Sequence, residues 1–335
     1  MGRLTAVRPL WALEGGHLTL EGEGFPVEPL LPHVRVGTHQ ARLAAASPTS
    51  LTVMVPQGLE GGPTAIRIDE LPGETAFVDI GAPLVTGVHH VDSPVYDRHG
   101  NLYVTFSGSR GQEAPVAIFV VRPDGSREPF VSDLANPTSL AFDRDGVLFV
   151  SSRFDGCVYR VSSDGKPSLF ASDLGVATGL AFGSDGRLYV GDRSGSILRI
   201  DEAGQAALVA TLPPSVAAFH LAFGPDGDLY VTAPTLATTD VVYRVSMEGT
   251  VSVLCGGFGR PQGLAFDGAG NLFVVDALAG SSGLYRIRPN APEAPELVLA
   301  GGPLIGIAFD PHGGIALAAS EVVYKLTVGQ HGPLP

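Results

Sequence analysis

The segment Gly179-Leu180-Ala181-Phe182-Gly183-Ser184-Asp185-Gly186-Arg187-Leu188-Tyr189-Val190 joins two short apolar stretches through a polar turn. This arrangement is typical of a β-hairpin, because glycine tolerates positive φ and aspartate hydrogen-bonds to its own turn backbone. The pattern recurs along the chain, so the hairpin is the unit of a repeat protein. Its six copies are residues 93–104, 139–150, 179–190, 220–231, 263–274 and 306–317.

The turn glycines give the length of the repeat. Successive turn glycines lie 40 to 46 residues apart, which is the length of a four-stranded propeller blade. They are Gly100, Gly146, Gly186, Gly227, Gly270 and Gly313. No segment has sustained helical spacing. We therefore predict an all-β chain with a six-bladed β-propeller over residues 83–328, and we interpret the repeated Asp-x-x-Gly as a structural turn rather than a calcium loop.

The ends of the repeat region predict how the ring closes. Residues 84–97 align without gaps with residues 130–143, whereas the sixth repeat has only its three inner strands. Residues 83–90 are therefore expected to supply the outer strand of the last blade, which removes exposed sheet edges. Residues 329–335 are expected to form a loose tail.

The first 82 residues lack the blade pattern and contain short strands with glycine corners. This segment resembles the IPT/TIG family of immunoglobulin-like β-sandwiches. The resemblance implies an interaction or spacer domain over residues 1–82. It is carried by Pro9, Gly15-Gly16, Leu18, Leu20, Gly22-Glu23-Gly24-Phe25, Val36-Gly37, Ser47-Pro48-Thr49-Ser50-Leu51, Val55-Pro56 and Gly61-Gly62.

The composition limits the partners. The formal charge of −13 disfavours nucleic acids and anionic membranes, which attract basic surfaces. The first residues lack an apolar core typical of a secretory signal, and no run of 18 apolar residues occurs. We expect a soluble cytoplasmic protein, although prior removal of a signal would leave export open.

The repeat region resembles the NHL-repeat and gluconolactonase/regucalcin-like propellers. The metal-dependent lactonases of that group hold a divalent metal at the axial mouth. Each ligand position lies four residues before the aromatic or aliphatic residue that closes an inner strand, and the resemblance implies the same positions here. The equivalent positions are Asp92, Thr138, Thr178, Phe219, Gln262 and Ile305. Asp92 resembles the family's acidic ligand, whereas Phe219 replaces its asparagine and Gln262 its aspartate. One carboxylate makes a weak site for a hard cation.

Other polar residues are also expected at the axial mouth, where the connections entering inner strands meet the loops after second strands. Histidines and carboxylates together could hold a transition metal or supply acid–base chemistry. Alternatively, Asp192 and Asp276 cap their own loops and the histidine pair is solvated. The candidate ligand-binding residues are His89, His90, Asp92, Thr138, Arg153, Thr178, Asp192, Arg193, Phe219, His220, Gln262 and Asp276.

These features favour a binding protein without a cofactor, which holds a small molecule, a glycan or a protein segment at the mouth. The alternative is a metal-dependent lactone hydrolase that uses calcium or zinc, with Asp92 as its one retained metal ligand. Replacement of Asp92 by alanine should abolish a lactonase but leave binding through the outer loops largely intact.

Overall fold

The computed structural model describes residues 2–71, 73–88, 92–108, 111, 114–278, 280–289 and 291–326. Every regular element in this part of the chain is a β-strand, which confirms the all-β prediction. No helix within the described ranges is long and apolar enough to cross a membrane.

Five separate four-stranded sheets form the blades of a β-propeller. Within each sheet, neighbouring strands are antiparallel. The first four sheets follow the chain as β10(Val95–Tyr96) β11(Leu102–Thr105) β12(Ile118–Val121) β13(Arg127–Val131), β14(Pro137–Phe142) β15(Leu148–Ser152) β16(Cys157–Val161) β17(Pro167–Ala171), β18(Ala177–Phe182) β19(Leu188–Asp192) β20(Ser196–Ile200) β21(Ala206–Thr211), and β22(His220–Phe223) β23(Leu229–Thr232) β24(Asp240–Val245) β25(Val251–Phe258).

The fifth separate sheet joins the two ends of the repeat region. It contains β30(Gly306–Phe309), β31(Ile315–Ala318), β32(Val322–Leu326) and, as its outer strand, β9(Ala82–Thr86). Val85 pairs with Val323 and Thr86 with Val322 in the antiparallel ladder between β9 and β32. The chain that precedes the repeats thus supplies the strand that closes the ring.

A twelve-stranded sheet contains the remaining strands, so the expected six separate blades and separate immunoglobulin-like sandwich are not what the structure shows. Its order is β1-β3-β6-β5-β4-β7-β8-β2-β29-β28-β27-β26. The bounds are β1(Arg3–Arg8), β2(Trp11–Ala12), β3(His17–Glu23), β4(Val34–Val36), β5(His39–Ser47), β6(Ser50–Met54), β7(Gly62–Ile68), β8(Thr75–Ile80), β26(Pro261–Phe266), β27(Leu272–Asp276), β28(Gly283–Arg288) and β29(Ala291–Ala300).

The short strand β2 joins the N-terminal strands to β29 within this one sheet. Trp11 is paired in parallel with Asp79 of β8 on one side and with Leu299 of β29 on the other. Because β2 uses both of its edges, the backbone ladder runs from the N-terminal strands into β29. The Trp11 side chain is buried with Phe273 and Leu299, whereas most N-terminal apolar residues form a core of their own.

Six inner strands surround a central channel: β10, β14, β18, β22 and β30 from the separate blades, and β26 from the twelve-stranded sheet. Each contacts the next, and β30 contacts β10. Strands β10 and β22 therefore lie on opposite sides of the channel. The units are locked by edge-to-face aromatic pairs, such as Tyr189 with Phe223 and Tyr230 with Phe266, each with ring centroids 4.9 Å apart.

Candidate ligand-binding channel

The central channel encloses a cavity of 410 Å³. Its walls are apolar side chains of the inner strands, and aromatic side chains line the end at which these strands enter their turns. Polar side chains gather at the opposite end of the cavity. The polar lining residues are Asp92, Ser93, Ser139 and His220, and the aromatic ones are Tyr96, Phe142, Phe223, Phe266 and Phe309.

His220 closes the polar end because it extends across the channel. Its Nδ1 lies 3.3 Å from the Oγ of Ser93, on the opposite inner strand. At the position of His220 in the repeat, the other inner strands carry only small residues: Ser93, Ser139, Gly179, Gly263 and Gly306. An imidazole is thus the one large side chain in this layer of the channel.

Glycine at three of these positions is required by close approach of the strands. A Cβ on Gly306 would lie 2.5 Å from the carbonyl oxygen of Asp92. One on Gly179 would lie 2.6 Å from that of Phe219, and one on Gly263 would lie 2.7 Å from that of Ile305. The first of these contacts brings the backbone of Asp92 against β30. The narrow ring that results fixes Asp92 at the closed end of the cavity.

Three buried polar atoms along this cavity have no hydrogen-bond partner among the described residues: Oδ2 of Asp92, Nε2 of His220 and the hydroxyl of Tyr96. Burial raises the pKa of Asp92 to about 6, although the positive charge of Arg153 acts in the opposite direction. Burial also lowers the pKa of His220 to about 4, so its imidazole is neutral at pH 7. Buried polar atoms without partners are costly, and such atoms commonly mark a site that a ligand completes.

The two ends of the channel differ in the burial of their residues. The aromatic residues that line the turn end are partly exposed, whereas Thr138, Thr178 and Phe219 beyond the polar end are fully buried. Gln262 and Ile305, at the same level as these three residues, are partly exposed. The axial mouth, which the sequence predicted as the binding face, lies at this polar end.

Several candidate residues at that mouth are occupied by contacts within the fold. Thr178 accepts a hydrogen bond from the backbone N–H of Phe219 and donates to the carbonyl of Gly191. Thr138 donates to the carbonyl of Asn136, and the side-chain amide of Gln262 donates to that of Leu304. Phe219 has no exposed surface and packs in the core with Leu221 and Val231.

Asp192 and Asp276 hold their own loops, as the alternative interpretation of these residues predicted. Oδ1 of Asp192 accepts a hydrogen bond from the N–H of Val176 at 2.7 Å. The two oxygens of Asp276 accept from the N–H groups of Gly259 at 2.9 Å and Arg260 at 2.7 Å. These carboxylates satisfy buried backbone donors at the starts of inner strands.

Because Asp276 holds its loop, we predict that its removal lowers the stability of the protein. Replacement by alanine leaves the N–H groups of Gly259 and Arg260 without their acceptor, and should lower the free energy of unfolding by about 1–3 kcal/mol. Chemical denaturation of Asp276→Ala, beside the exposed Glu202→Ala as control, measures this loss. Equal stability of the two variants would show that the carboxylate does not hold the loop.

The two candidate arginines project from equivalent loops of neighbouring blades. Nη2 of Arg153 donates to the Oγ of Ser107 at 3.1 Å. Nη2 of Arg193 donates to the carbonyls of Ser215 and Val216. Neither arginine lines the channel cavity, which ends at Asp92 and His220. His89 and His90 lie outside the described residues.

A lactonase-type metal site does not fit the residues that the structure describes. Within them, no group of three or more His, Cys, Asp or Glu side chains could hold a metal ion. At the positions that the family resemblance points to, Asp92 offers one carboxylate, but Phe219 lies in the core and Gln262 is hydrogen-bonded to backbone. A hard cation needs several oxygen ligands, so Asp92 alone does not make its site.

Ser93, Ser139 and Tyr96 also line the cavity but were not among the candidates predicted from sequence. A signal was nevertheless present, since Tyr96 is the one hydroxylated residue among six aromatic residues that close the inner strands. The other five are Phe142, Phe182, Phe223, Phe266 and Phe309. A polar residue at a repeat position where all other copies are apolar therefore indicates a candidate site residue.

The comparisons with known proteins support the propeller fold. The family model for the N-terminal part of strictosidine synthase-like proteins matches residues 179–200, which form β18 to β20. No curated protein matches the chain. The fold resembles a gluconolactonase from Xanthomonas campestris with a TM-score of 0.61 and 16% sequence identity, covering 76% of this chain and 88% of that one.

Two further structures show that the same fold serves different activities. A streptogramin B lyase has a TM-score of 0.56 and 13% identity, covering 74% of this chain and 96% of that one. An auxiliary nutrient binding protein from Bacteroides thetaiotaomicron has a TM-score of 0.57 and 13% identity, covering 97% of both chains. At these identities the likeness concerns the fold alone, so the function must be argued from the channel.

Proposed function

We propose that this chain is a binding protein that holds a small molecule in the central channel of its propeller. The observation that carries the proposal is the set of three buried polar atoms along one cavity, Asp92 Oδ2, His220 Nε2 and the Tyr96 hydroxyl, without partners among the described residues. A ligand that hydrogen-bonds to these atoms would remove the cost of burying them.

The polar groups are not distributed evenly around the channel. Asp92, Ser93 and Tyr96 all belong to the first inner strand and its approach, and His220 reaches Ser93 from the opposite strand. The other inner strands contribute mainly Leu, Ala and Phe side chains. A cavity with an apolar wall and a few convergent polar groups is the usual form of a small-molecule site.

The cavity size agrees with this use. A volume of 410 Å³ lies in the range of about 300–1,000 Å³ that is common for ligand pockets. The aromatic pairs between neighbouring units make the wall rigid, so the site is formed before a ligand arrives. A preformed site binds without a large ordering cost.

Filling the channel tests the proposal. Ala222 lines the cavity, and Ala222→Phe adds a ring to that space without altering any charge. We expect ligands that raise the melting temperature of the wild-type protein in a small-molecule screen to lose their effect on Ala222→Phe, with affinity reduced by about tenfold or more.

The matched control is Ala207→Phe, which places the same ring on an exposed outer strand. Circular dichroism and melting of both variants report whether they fold. Ligands that bind Ala222→Phe as tightly as Ala207→Phe would place binding outside the channel and contradict the proposal.

A metal-dependent lactonase is the weaker alternative. Its support is the likeness of the fold to gluconolactonases, together with Asp92 at the family's acidic position. The remaining donors expected for a divalent metal are not supplied by Phe219 and Gln262. The binding function needs no such set, because it uses the atoms that line the cavity.

The proposal also covers the number of blades and the division of the chain into domains. We infer that β26–β29 acts as a sixth blade, because it has the same four-stranded order and its inner strand completes the ring around the channel. Residues 1–82 would then be an IPT/TIG-type domain joined to this blade by β2, with the propeller over residues 83–328 and a tail over residues 329–335.

A further inference from the structure

The turn end of the channel is surrounded by charged residues. The turns that follow the inner strands contain eight aspartates and three arginines. The aspartates are Asp97, Asp143, Asp145, Asp185, Asp226, Asp228, Asp267 and Asp310, and the arginines are Arg98, Arg144 and Arg187. These turns form the rim of the channel at this end.

Five further cations reach the rim from other strands. Arg244 contacts Asp226 and Asp228 at 2.9 and 2.6 Å, and Lys325 lies 3.7 Å from Asp310. The other three are Arg122 near Asp97, Arg199 at the Tyr189 hydroxyl that donates to Asp185, and Arg160, which lines a surface pocket with Asp145. The rim therefore balances its carboxylates with cations.

The lining of the cavity, in contrast to the rim, has Asp92 as its one residue among aspartate, glutamate, lysine and arginine, and Arg153 acts on it from outside the lining. Asp92 stands at the closed end of the cavity with 8% of its surface exposed, and its Oδ2 has no partner among the described residues. His220, which lines the same end of the cavity, forms no ion pair with a carboxylate in the described part of the chain. A ligand carboxylate would meet Asp92 in a poorly solvated space, where like charges repel strongly.

Aromatic residues form a collar between the rim and Asp92. Tyr96, Phe142, Phe223, Phe266 and Phe309 line this end of the cavity. Aromatic rings attract cations by about 0.5–2 kcal/mol each when a cation lies over the ring face. The aromatic collar and the buried carboxylate therefore favour the same kind of ligand.

We propose that the ligand of the channel is a small organic cation, whose positively charged nitrogen donates hydrogen bonds to Asp92 while its apolar part lies against the leucine and aromatic wall. This inference rests on the proposed binding function and gives its ligand class. An organic cation fits better than a metal ion, because one carboxylate with apolar walls does not replace a hydration shell.

A matched series of probes tests the charge of the ligand: benzylammonium, benzyl alcohol and benzoate, with calcium and magnesium chloride as separate arms. Isothermal titration to the full-length protein should show benzylammonium binding about tenfold or more tightly than benzyl alcohol, with no binding of benzoate. The Asp92→Asn variant should lose this preference, whereas Glu202→Gln, which removes an exposed carboxylate, should retain it.

The outcomes separate this inference from the proposed function. Binding of benzyl alcohol or benzoate at least as tight as that of benzylammonium, and abolished by Ala222→Phe, would keep the channel as the site but overturn the cation. Saturable binding of calcium or magnesium that depends on Asp92, without benzylammonium binding, would also overturn it. If benzylammonium does not bind while other ligands from the screen bind wild type and not Ala222→Phe, the inference fails and the proposed function stands.

Discussion

Replacing Asp92 with asparagine is expected to raise the free energy of unfolding at pH 7 by up to about 3 kcal/mol while removing the preference of the channel for organic cations over neutral ligands. Burial holds the pKa of this carboxyl at about 6 in the folded protein, above its ordinary value of 3.8. The folded state therefore binds the proton more tightly than the unfolded state. The ionised carboxylate costs stability at every pH above 6, and asparagine removes that cost.

Denaturation of Asp92→Asn and wild type across a pH series measures this gain. The gain should be largest above pH 6 and should fall away as the pH is lowered below 3.8, where wild-type Asp92 is protonated in both states. The Glu202→Gln control should show no such gain. A variant that is less stable than wild type at pH 7 would mean that Asp92 has a structural partner, and the proposed ligand role would lose its basis.

His220 should give the opposite dependence on pH. Burial lowers its pKa from 6.5 to about 4, so the unfolded state binds the proton more tightly between these values. Protonation of His220 should therefore reduce stability by about 3 kcal/mol as the pH falls from 6.5 to 4. Over nearly the same range the protonation of Asp92 increases stability, so the two effects offset each other in wild type.

Single variants separate the two titrations. Asp92→Asn retains only the histidine effect and should lose stability steeply on acidification relative to wild type, whereas His220→Gln should gain stability relative to wild type over the same range. The double variant should follow wild type more closely than either single variant does. If the free energy of unfolding changes with pH in the same way in wild type, both single variants and the double variant, neither the Asp92 carboxyl nor the His220 imidazole is buried as described.

The repeat pattern made much of the fold predictable. Glycine at each inner turn indicated a backbone with positive φ, and Gly100, Gly146, Gly186, Gly227, Gly270 and Gly313 all adopt it. The alignment of residues 84–97 with 130–143 indicated the closing strand, and β9 pairs with β32. Local turn chemistry and period-two alternation are properties of short segments, so a single sequence reveals them.

The connection through β2 could not be predicted in the same way. Only Trp11 and Ala12 pair with β29, and two residues are too few to produce an alternating pattern. Whether the N-terminal strands form a sheet of their own or continue into the propeller depends on this short contact. Tertiary packing decided it, with Trp11 buried against Phe273.

The sequence identified some of the polar residues that line the channel cavity. Asp92 and His220 were both candidates, and both line it. His220 can reach Ser93 across the channel because the other inner strands carry only small residues at that level. Conversely, Thr138, Thr178 and Asp276 share the same region of the repeat but satisfy backbone groups, which only the hydrogen-bond pattern reveals.

A crystal structure of the full-length protein grown with benzylammonium at a concentration well above its measured Kd would test the central claim most directly. We predict that the ammonium lies within hydrogen-bonding distance of Asp92 Oδ2, with the benzyl ring between the aromatic collar and the leucine wall. A molecule bound at the loops beyond Thr138 and Thr178, with the channel empty, would contradict the assignment of the channel as the binding site.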